Sequence, residues 1–291
     1  MPNPVMSAVG SAVGVAVVQF VPTSDTENNL QQLREHTSAA VSRGTRLIVF
    51  PEYSSFFEER LGPDSVAAAQ PLDGAFVTAV AAMATAHGVF IVTGMLEHGP
   101  DAHRASNTVV VLDPSGALVA VYRKQHLYDA FGQLESEFIA HGPLDPPEVF
   151  VVDGLTVGIQ TCYDLRFPEV TRRIVDAGAD VVVVPSEWVR GPLKEHHWRV
   201  LVTARAIENT IFVAAADHAP PIGVGNSMIV DPMGVELATI GDESGVAFAW
   251  ISRQRIELVR AINPALALRR FTIAAIDHAD SPPPRFTTPP R

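Results

Sequence analysis

The chain has 291 residues, 47% of them hydrophobic and 18% charged, with a net charge of −11 and one cysteine. This is enough chain for one large or two ordinary domains with a sizeable core. The acidic balance speaks against a nucleic-acid or anionic-membrane partner, a lone cysteine rules out an internal disulfide, and no apolar run reaches the roughly 18 residues of a spanning helix, so a cytoplasmic protein is expected.

Residues 1–12 are small and apolar but lack Lys and Arg. Without the charged start of a signal peptide they read as a loose leader, with Met6 as an alternative start. The β-branched run 13–20 predicts a buried strand. Turn and cap residues 23–28 then open a helix to about residue 42. The next strand, 46–50, stops at Pro51, because proline cannot continue a central strand. An Ala-rich helix is expected over 73–87, capped by Asp73 and ended by Gly88, followed by a strand over 89–95. Residues 107–112 and 117–122 pair as a hairpin around Asp113-Pro114-Ser115-Gly116. Residues 123–142 form a long polar and aromatic loop, a kind that is usually functional in a compact domain.

A second hairpin, 149–152 with 155–160 around Asp153-Gly154, runs into Cys162, and a helix follows over 168–177. Next come a strand at 180–184 stopped by Pro185, a helix over 194–209 and a strand over 210–216. A third hairpin, 227–230 with 235–240, precedes a strand at 245–251 and a helix at 253–262. Five prolines after residue 280 mark a tail outside the fold. Strands alternating with helices, with hairpins between, predict mixed sheets covered by helices in one domain over 13–271, with 272–291 as the tail.

The chemistry gathers at strand ends. Cys162 follows a strand, in a tight turn before a helix, where an α/β sheet exposes reactive groups. Amides freed by such a turn can bind a developing anion, and a helix N-terminus would lower the thiol pKa. Alone, Cys162 reads equally as a buried, inert residue. Glu52 ends the second strand and Lys124 the first hairpin; taken singly, each reads as a turn or solvated residue. Together they have a chemical logic. A thiolate attacks a carbonyl-type carbon, a carboxylate takes its proton and later activates water, and a lysine with the N–H after the cysteine holds the oxyanion.

The segments Val49-Phe50-Pro51-Glu52, Tyr122-Arg123-Lys124-Gln125-His126-Leu127 and Gly158 to Glu169 around Cys162-Tyr163-Asp164 resemble the three signatures of the nitrilase superfamily of carbon–nitrogen hydrolases, most closely its Nit-type amidase branch. The order and the separations agree, 72 residues from Glu52 to Lys124 and 38 from there to Cys162. Further matches are Leu134 to Phe138 before Gly142, His197-Trp198, Ala204 to Asn209, and Gly225-Asn226-Ser227 before Asp231-Pro232-Met233-Gly234. The resemblance runs from about residue 13 to 271. It implies a four-layer α-β-β-α sandwich, commonly dimerised through helices, and a small carboxamide as substrate, with no metal or other cofactor. It implies Cys162 as nucleophile, Glu52 as general base, Lys124 as oxyanion cation and Glu135 as a second glutamate, with Glu137 the competing choice, and Tyr163 lends its backbone N–H.

The chain departs from the amidase branch after Pro185-Ser186, where Glu187-Trp188 stands in place of Ala-Phe in a segment bordering the substrate pocket. The alternatives are a nitrile substrate, which Tyr163 in place of Trp disfavours, an N-carbamoyl amino acid, acyl transfer, or an inactive scaffold of the same fold. His126, His196 and His197 match no zinc spacing, Asp217 and His218 are placed at the pocket mouth, and Gly223-Val224-Gly225 is too short for a nucleotide fingerprint.

Overall fold

The computed structural model describes residues 12–275. All but residue 12 of the expected leader, and all but residues 272–275 of the expected tail, lie outside them.

Strands are numbered in chain order. β1 (Val13–Gln19), β2 (Leu47–Val49), β3 (Phe90–Asp101), β4 (Arg104–Leu112), β5 (Leu118–Arg123) and β13 (Gly245–Ile251) form one sheet in the order β13-β1-β2-β3-β4-β5, with β6 (Ile139–Ala140) paired to β4. β7 (Val149–Val152), β8 (Leu155–Ile159), β9 (Val181–Pro185), β10 (Phe212–Ala216), β11 (Met228–Val230) and β12 (Glu236–Thr239) form the other, in the order β12-β11-β10-β9-β8-β7. Each sheet is parallel at its centre, β1-β2-β3 and β8-β9-β10, and antiparallel toward its edges, apart from the short β6, which is parallel to β4.

The side-chain period of two sorts each central strand into two layers. Val13, Val15 and Val17 of β1 and Val181 and Val183 of β9 face each other in the core between the sheets. Ala16 and Val18 pack instead under helices α1 (Thr26–Val41) and α3 (Ala75–His87), and Val182 and Val184 under α4 (Pro168–Asp176) and α5 (Lys194–Asn209). Burial on both faces explains why these strands read as unbroken apolar runs. The result is helices, sheet, sheet, helices, the expected sandwich.

The helices begin and end largely where their signals stand. Asp25 caps α1 by accepting from the N–H groups of Glu27 and Asn28, and Gly88 ends α3 in the left-handed region at φ 64°. The expected Asp73 cap is corrected. Gly74 occupies that position, and the Gln70 side chain accepts from Phe76 N–H at 2.9 Å. The sequence also missed the short helix α2 (Pro63–Ala67) and the polar extension of β3 to Asp101. No apolar pattern marks that extension, because buried Glu97 is matched by Arg123 (2.5 and 2.7 Å) and Thr108 (2.7 Å). Helix α6 (Arg253–Ile262) closes the described fold, with Ser252 as its cap.

Candidate active site

Four strand ends converge at one edge of the sandwich. β2 is parallel to β3, and two antiparallel steps lead from β3 to β5, so β2 and β5 end on the same side. They present Glu52 and Lys124, and the loop after β5 returns Glu135 to them as the start of a 3-10 turn, Glu135–Glu137. β8 and β9 of the other sheet end on Cys162 and Glu187. Ligands of open parallel sheets bind at such carboxyl ends.

The three charged side chains are buried: Glu52 is 0%, Lys124 2% and Glu135 6% exposed. Lys124 Nζ donates to Glu52 Oε1 at 2.9 Å and to Glu135 at 3.0 and 2.9 Å. Asn107 Nδ2, from β4, donates to both carboxylates, at 2.6 Å to Glu52 and 3.0 Å to Glu135. Glu135 also accepts from Tyr53 Oη at 2.7 Å and Tyr128 N–H at 2.5 Å. The backbone permits this closeness. A Cβ on Gly94 would lie 2.6 Å from Glu52 Cα, and one on Gly142 would lie 2.1 Å from Arg123 O.

The two glutamates share a lysine, yet their environments push their acidities apart. Burial raises the Glu52 carboxyl, Lys124 opposes it, and the Glu135 charge adds to the rise. Burial also works to raise Glu135, but Lys124 and the bonds from Lys124, Tyr128 and Asn107 outweigh it and hold the group below its ordinary value. Burial disfavours the Lys124 ammonium, and Glu135 and Glu52 more than offset that, so its pKa stands well above the ordinary. A carboxylate made more basic beside one kept ionised is a division of labour suited to proton transfer.

Cys162 has φ 46°, a backbone state that costs a non-glycine residue about 1–3 kcal/mol. The turn around it, a 3-10 segment Cys162–Arg166, is held on several sides. Thr161 Oγ1 donates to Pro185 O at 2.7 Å, and Asp164 N–H to Thr161 O at 3.0 Å. The Asp164 carboxylate accepts from Thr161 N–H (3.2 Å), Tyr122 Oη (2.6 Å) and His126 N–H (3.0 Å), tying the turn to both flanks of Lys124. The expectation that a helix N-terminus lowers the thiol pKa is corrected. α4 begins only at Pro168, and burial first, then the Glu52 charge, push the thiol well above its ordinary value against the pull of Lys124.

Residue 187 joins the halves through its peptide group. Its N–H donates to Glu52 Oε2 at 2.6 Å, and its carbonyl accepts from Cys162 Sγ at 3.3 Å. Glu187 lines the cavity, and burial first and Glu52 next raise its carboxyl well above the carboxylate range. The cavity, about 610 Å³, is lined by Lys124, Glu135, Cys162, Tyr163, Glu187 and Trp188, so every expected site residue lines it except Glu52, whose carboxylate pairs with Lys124 at 2.9 Å. Of the two competing glutamates, Glu135 is buried against Lys124 and Glu137 is exposed at the cavity rim.

Other expectations are corrected. Asp217 and His218 lie fully buried rather than at the mouth. His218 Nε2 is 2.7 Å from Glu52 O, and Asp217 accepts from Trp188 N–H at 2.6 Å. His126 stacks on Phe167 and pairs with Asp164 at 2.8 Å. Asn107, Tyr53, Tyr128 and Asp164 escaped the sequence reading; an Asn inside the run Arg104 to Leu112 was the one visible signal among them.

Residues 14–261 match the pattern of the family described as carbon-nitrogen hydrolase. The chain belongs to that family. This carbon–nitrogen hydrolase is 37% identical over 258 residues to the deaminated glutathione amidase of Escherichia coli O157:H7, covering 88% of this chain and 97% of that one. It is 33% identical over 272 residues to the protein of the same name from Rattus norvegicus, covering 88% and 82%. Its fold is similar to that of the Caenorhabditis elegans NitFhit protein, with a TM-score of 0.80 and 29% identity over 90% of this chain and 66% of that chain. It is also similar to an amidase of Nesterenkonia sp. AN1 from the nitrilase superfamily, with a TM-score of 0.74 and 26% identity over 90% and 100%. In a glutamate-to-glutamine mutant of that amidase, the acetamide moiety of fluoroacetamide is covalently added at the active-site cysteine (25% identity, TM-score 0.73, 90% and 98% covered). The carbon–nitrogen hydrolase described here hydrolyses amide C–N bonds.

Proposed function

We propose that residues 13–271 form one catalytic domain that converts a small carboxamide and water to an acid and ammonia through a thioester on Cys162. The observation that supports this most is the buried Glu52–Lys124–Glu135 cluster beside the thiol, in a cavity large enough for a small substrate. Cys162 Sγ attacks the amide carbon as Glu52 takes the thiol proton, and Lys124 Nζ with the Tyr163 N–H holds the oxyanion. The tetrahedral adduct collapses as Glu52 returns that proton to the departing nitrogen, releasing ammonia and leaving the acyl thioester. Glu52 then takes a proton from water, whose oxygen attacks the thioester carbon, and collapse releases the acid as Glu52 returns that proton to the Cys162 sulfur. Glu135 stays ionised, holding Lys124 and accepting from the substrate NH₂. A raised thiol pKa fits this order, since the proton leaves only as substrate and Lys124 stabilise the charge that forms.

Deaminated glutathione is the first substrate to test, because two relatives covering 88% of the chain carry that activity in their names. We place the enzyme in the cytoplasm, where a nucleophilic thiol stays reduced, and read it as a homodimer. Exposed Val200 and Ile207 on α5, with Met233 and Val235, support that reading. Release of the dipeptide amine from deaminated glutathione, and of ammonia from small ω-amides, nitriles and N-carbamoyl amino acids, tests the reaction. Amide turnover with a thioester captured at Cys162 by mass spectrometry supports it, whereas release from nitriles or N-carbamoyl compounds alone overturns it.

A further inference from the structure

Lys194 opens α5 and lines the same cavity as Cys162, yet it is 4% exposed. Among the described residues no carboxylate lies within ion-pair distance of its ammonium. Its one hydrogen bond is donated to Tyr128 Oη at 2.9 Å, which leaves two of its three donors for a ligand. Aromatic rings fix its place: the ammonium is 4.6 Å from the Tyr128 centroid, 4.8 Å from Phe131 and 5.0 Å from Trp188. Its backbone carbonyl accepts from Trp188 Nε1 at 2.8 Å, tying the lysine to the segment that carries Glu187. A second cation, Arg166, lies 4.8 Å from the Trp188 ring, with its Nε buried and unpartnered and, among the described residues, no carboxylate within ion-pair distance.

A buried cation without an anion is costly, and a protein keeps one where a ligand completes the pair. Lys124 illustrates the other case, since both its carboxylates are built in. We infer that Lys194 anchors a carboxylate on the amide substrate, so that the enzyme selects amides of dicarboxylic acids over uncharged amides. The inference rests on the proposed amidase reaction and deepens it.

The pairing has a pH signature. Burial lowers the Lys194 ammonium to about 8. Facing it are Cys162, Glu187 and Asp217, which raise its pKa, and Arg166, which lowers it. Tyr128 beside it is pushed up to about 12 by burial and stays neutral throughout. Above pH 8 the free enzyme loses the Lys194 charge, so the preference for a charged amide falls as pH rises.

The test compares kcat/KM for glutaramate with that for its methyl ester, the same amide without the charge, by ammonia release. In Lys194→Met the ratio of the two falls on the order of 10²-fold, as for removal of one partner of a desolvated charge pair, and Lys194→Arg restores most of it. In the wild type the ratio also falls as pH passes about 8, and in Lys194→Met it is flat there. Equal losses on both amides overturn the anchor, because a residue that only props Trp188 and Tyr128 does not distinguish them. Calorimetry of glutarate binding to Cys162→Ala, with and without Lys194→Met, reads the same anchor without turnover. Glutarate binding that depends on Lys194, with no ammonia from either amide, would keep the anchor and sink the amidase reading for this substrate. Binding that is absent, or indifferent to Lys194, removes the anchor.

Discussion

The two sheets supply their halves of the site by opposite physical means. The first sheet brings Glu52, Lys124 and Glu135 together by charge: three ionisable groups, all buried, each satisfied by the others and by Asn107, Tyr53 and the Tyr128 N–H. The second brings Cys162 by backbone shape, a residue at φ 46° held by Thr161 and Asp164. A charge cluster is stiff because any loss leaves an unpaired charge in low dielectric. A strained turn is stiff because its neighbours leave it no relaxed alternative. Substitutions in the first half should therefore damage both activity and folding, whereas the nucleophile can be deleted with its turn intact.

The largest effect tests that contrast directly. Cys162→Ala and Cys162→Ser abolish ammonia release while circular dichroism and thermal unfolding stay near wild type, and an aldehyde adduct seen by intact-mass spectrometry in the wild type disappears. Turnover persisting in Cys162→Ala would end the covalent mechanism.

Lys124→Ala is next. It leaves two buried carboxylates facing each other, so it should lose about 10²–10³-fold in kcat from the missing oxyanion donor and about 3–5 kcal/mol of stability in denaturant unfolding. Glu52→Gln should match the rate loss at a smaller cost in stability. The double variant should lose far less than the product of the two rate losses, because the residues act as a unit. Multiplicative losses would show that they act separately.

Glu135→Gln against Glu137→Gln sharpens the comparison within one turn. The former removes a charge that accepts from Lys124, Tyr53, Asn107 and Tyr128 and should lower single-turnover acylation by about 10-fold or more, by analogy with the loss of a transition-state hydrogen bond. The exposed Glu137 should leave it near wild type. The reverse pattern would assign the role to Glu137.

Gly94→Ala probes the backbone beneath the charge cluster. Its Cβ would sit 2.6 Å from Glu52 Cα and 2.7 Å from Tyr53 N, an overpacking that typically costs about 1–3 kcal/mol. Thermal unfolding should register that loss together with a fall in kcat as Glu52 is displaced; a variant as stable as wild type would mean that β3 yields freely.

The smallest effect is a shift in pH. Glu52 must be ionised to take the thiol proton, and its pKa is raised, first by burial and in part by Glu135. The acid limb of kcat/KM should therefore fall off above the ordinary carboxylate range. In Glu135→Gln the repulsive charge is gone and the Glu52 pKa drops, so the residual activity should persist to lower pH. A limb moving to higher pH would show that the loss of Lys124 positioning outweighs the loss of repulsion.

Much of this was written in the chain. The unbroken apolar runs at 13–20 and 180–184 announce strands buried on both faces, and Asp25 and Gly88 mark helix ends, because these signals act within a few residues. The segments around Glu52, Lys124 and Cys162 marked three candidate residues through their resemblance to a family's signatures, and the fold brings all three to one end of the sandwich. What the sequence could not state is which buried groups face one another. Asn107 bridges Glu52 and Glu135 across 55 and 28 residues, Asp164 ties the cysteine turn to Tyr122 across 42 residues, and Lys194 lies over Tyr128 across 66. The direction of each pKa shift follows from those meetings, since burial and neighbouring charge are properties of the folded chain. The thiol expected to be depressed by a helix N-terminus is raised for that reason. Local signals fix where each element begins and what it carries. Only the closing of two sheets on one another decides which charges lose their water, and that loss gives Glu52, Lys124 and Cys162 the electrostatics of a site.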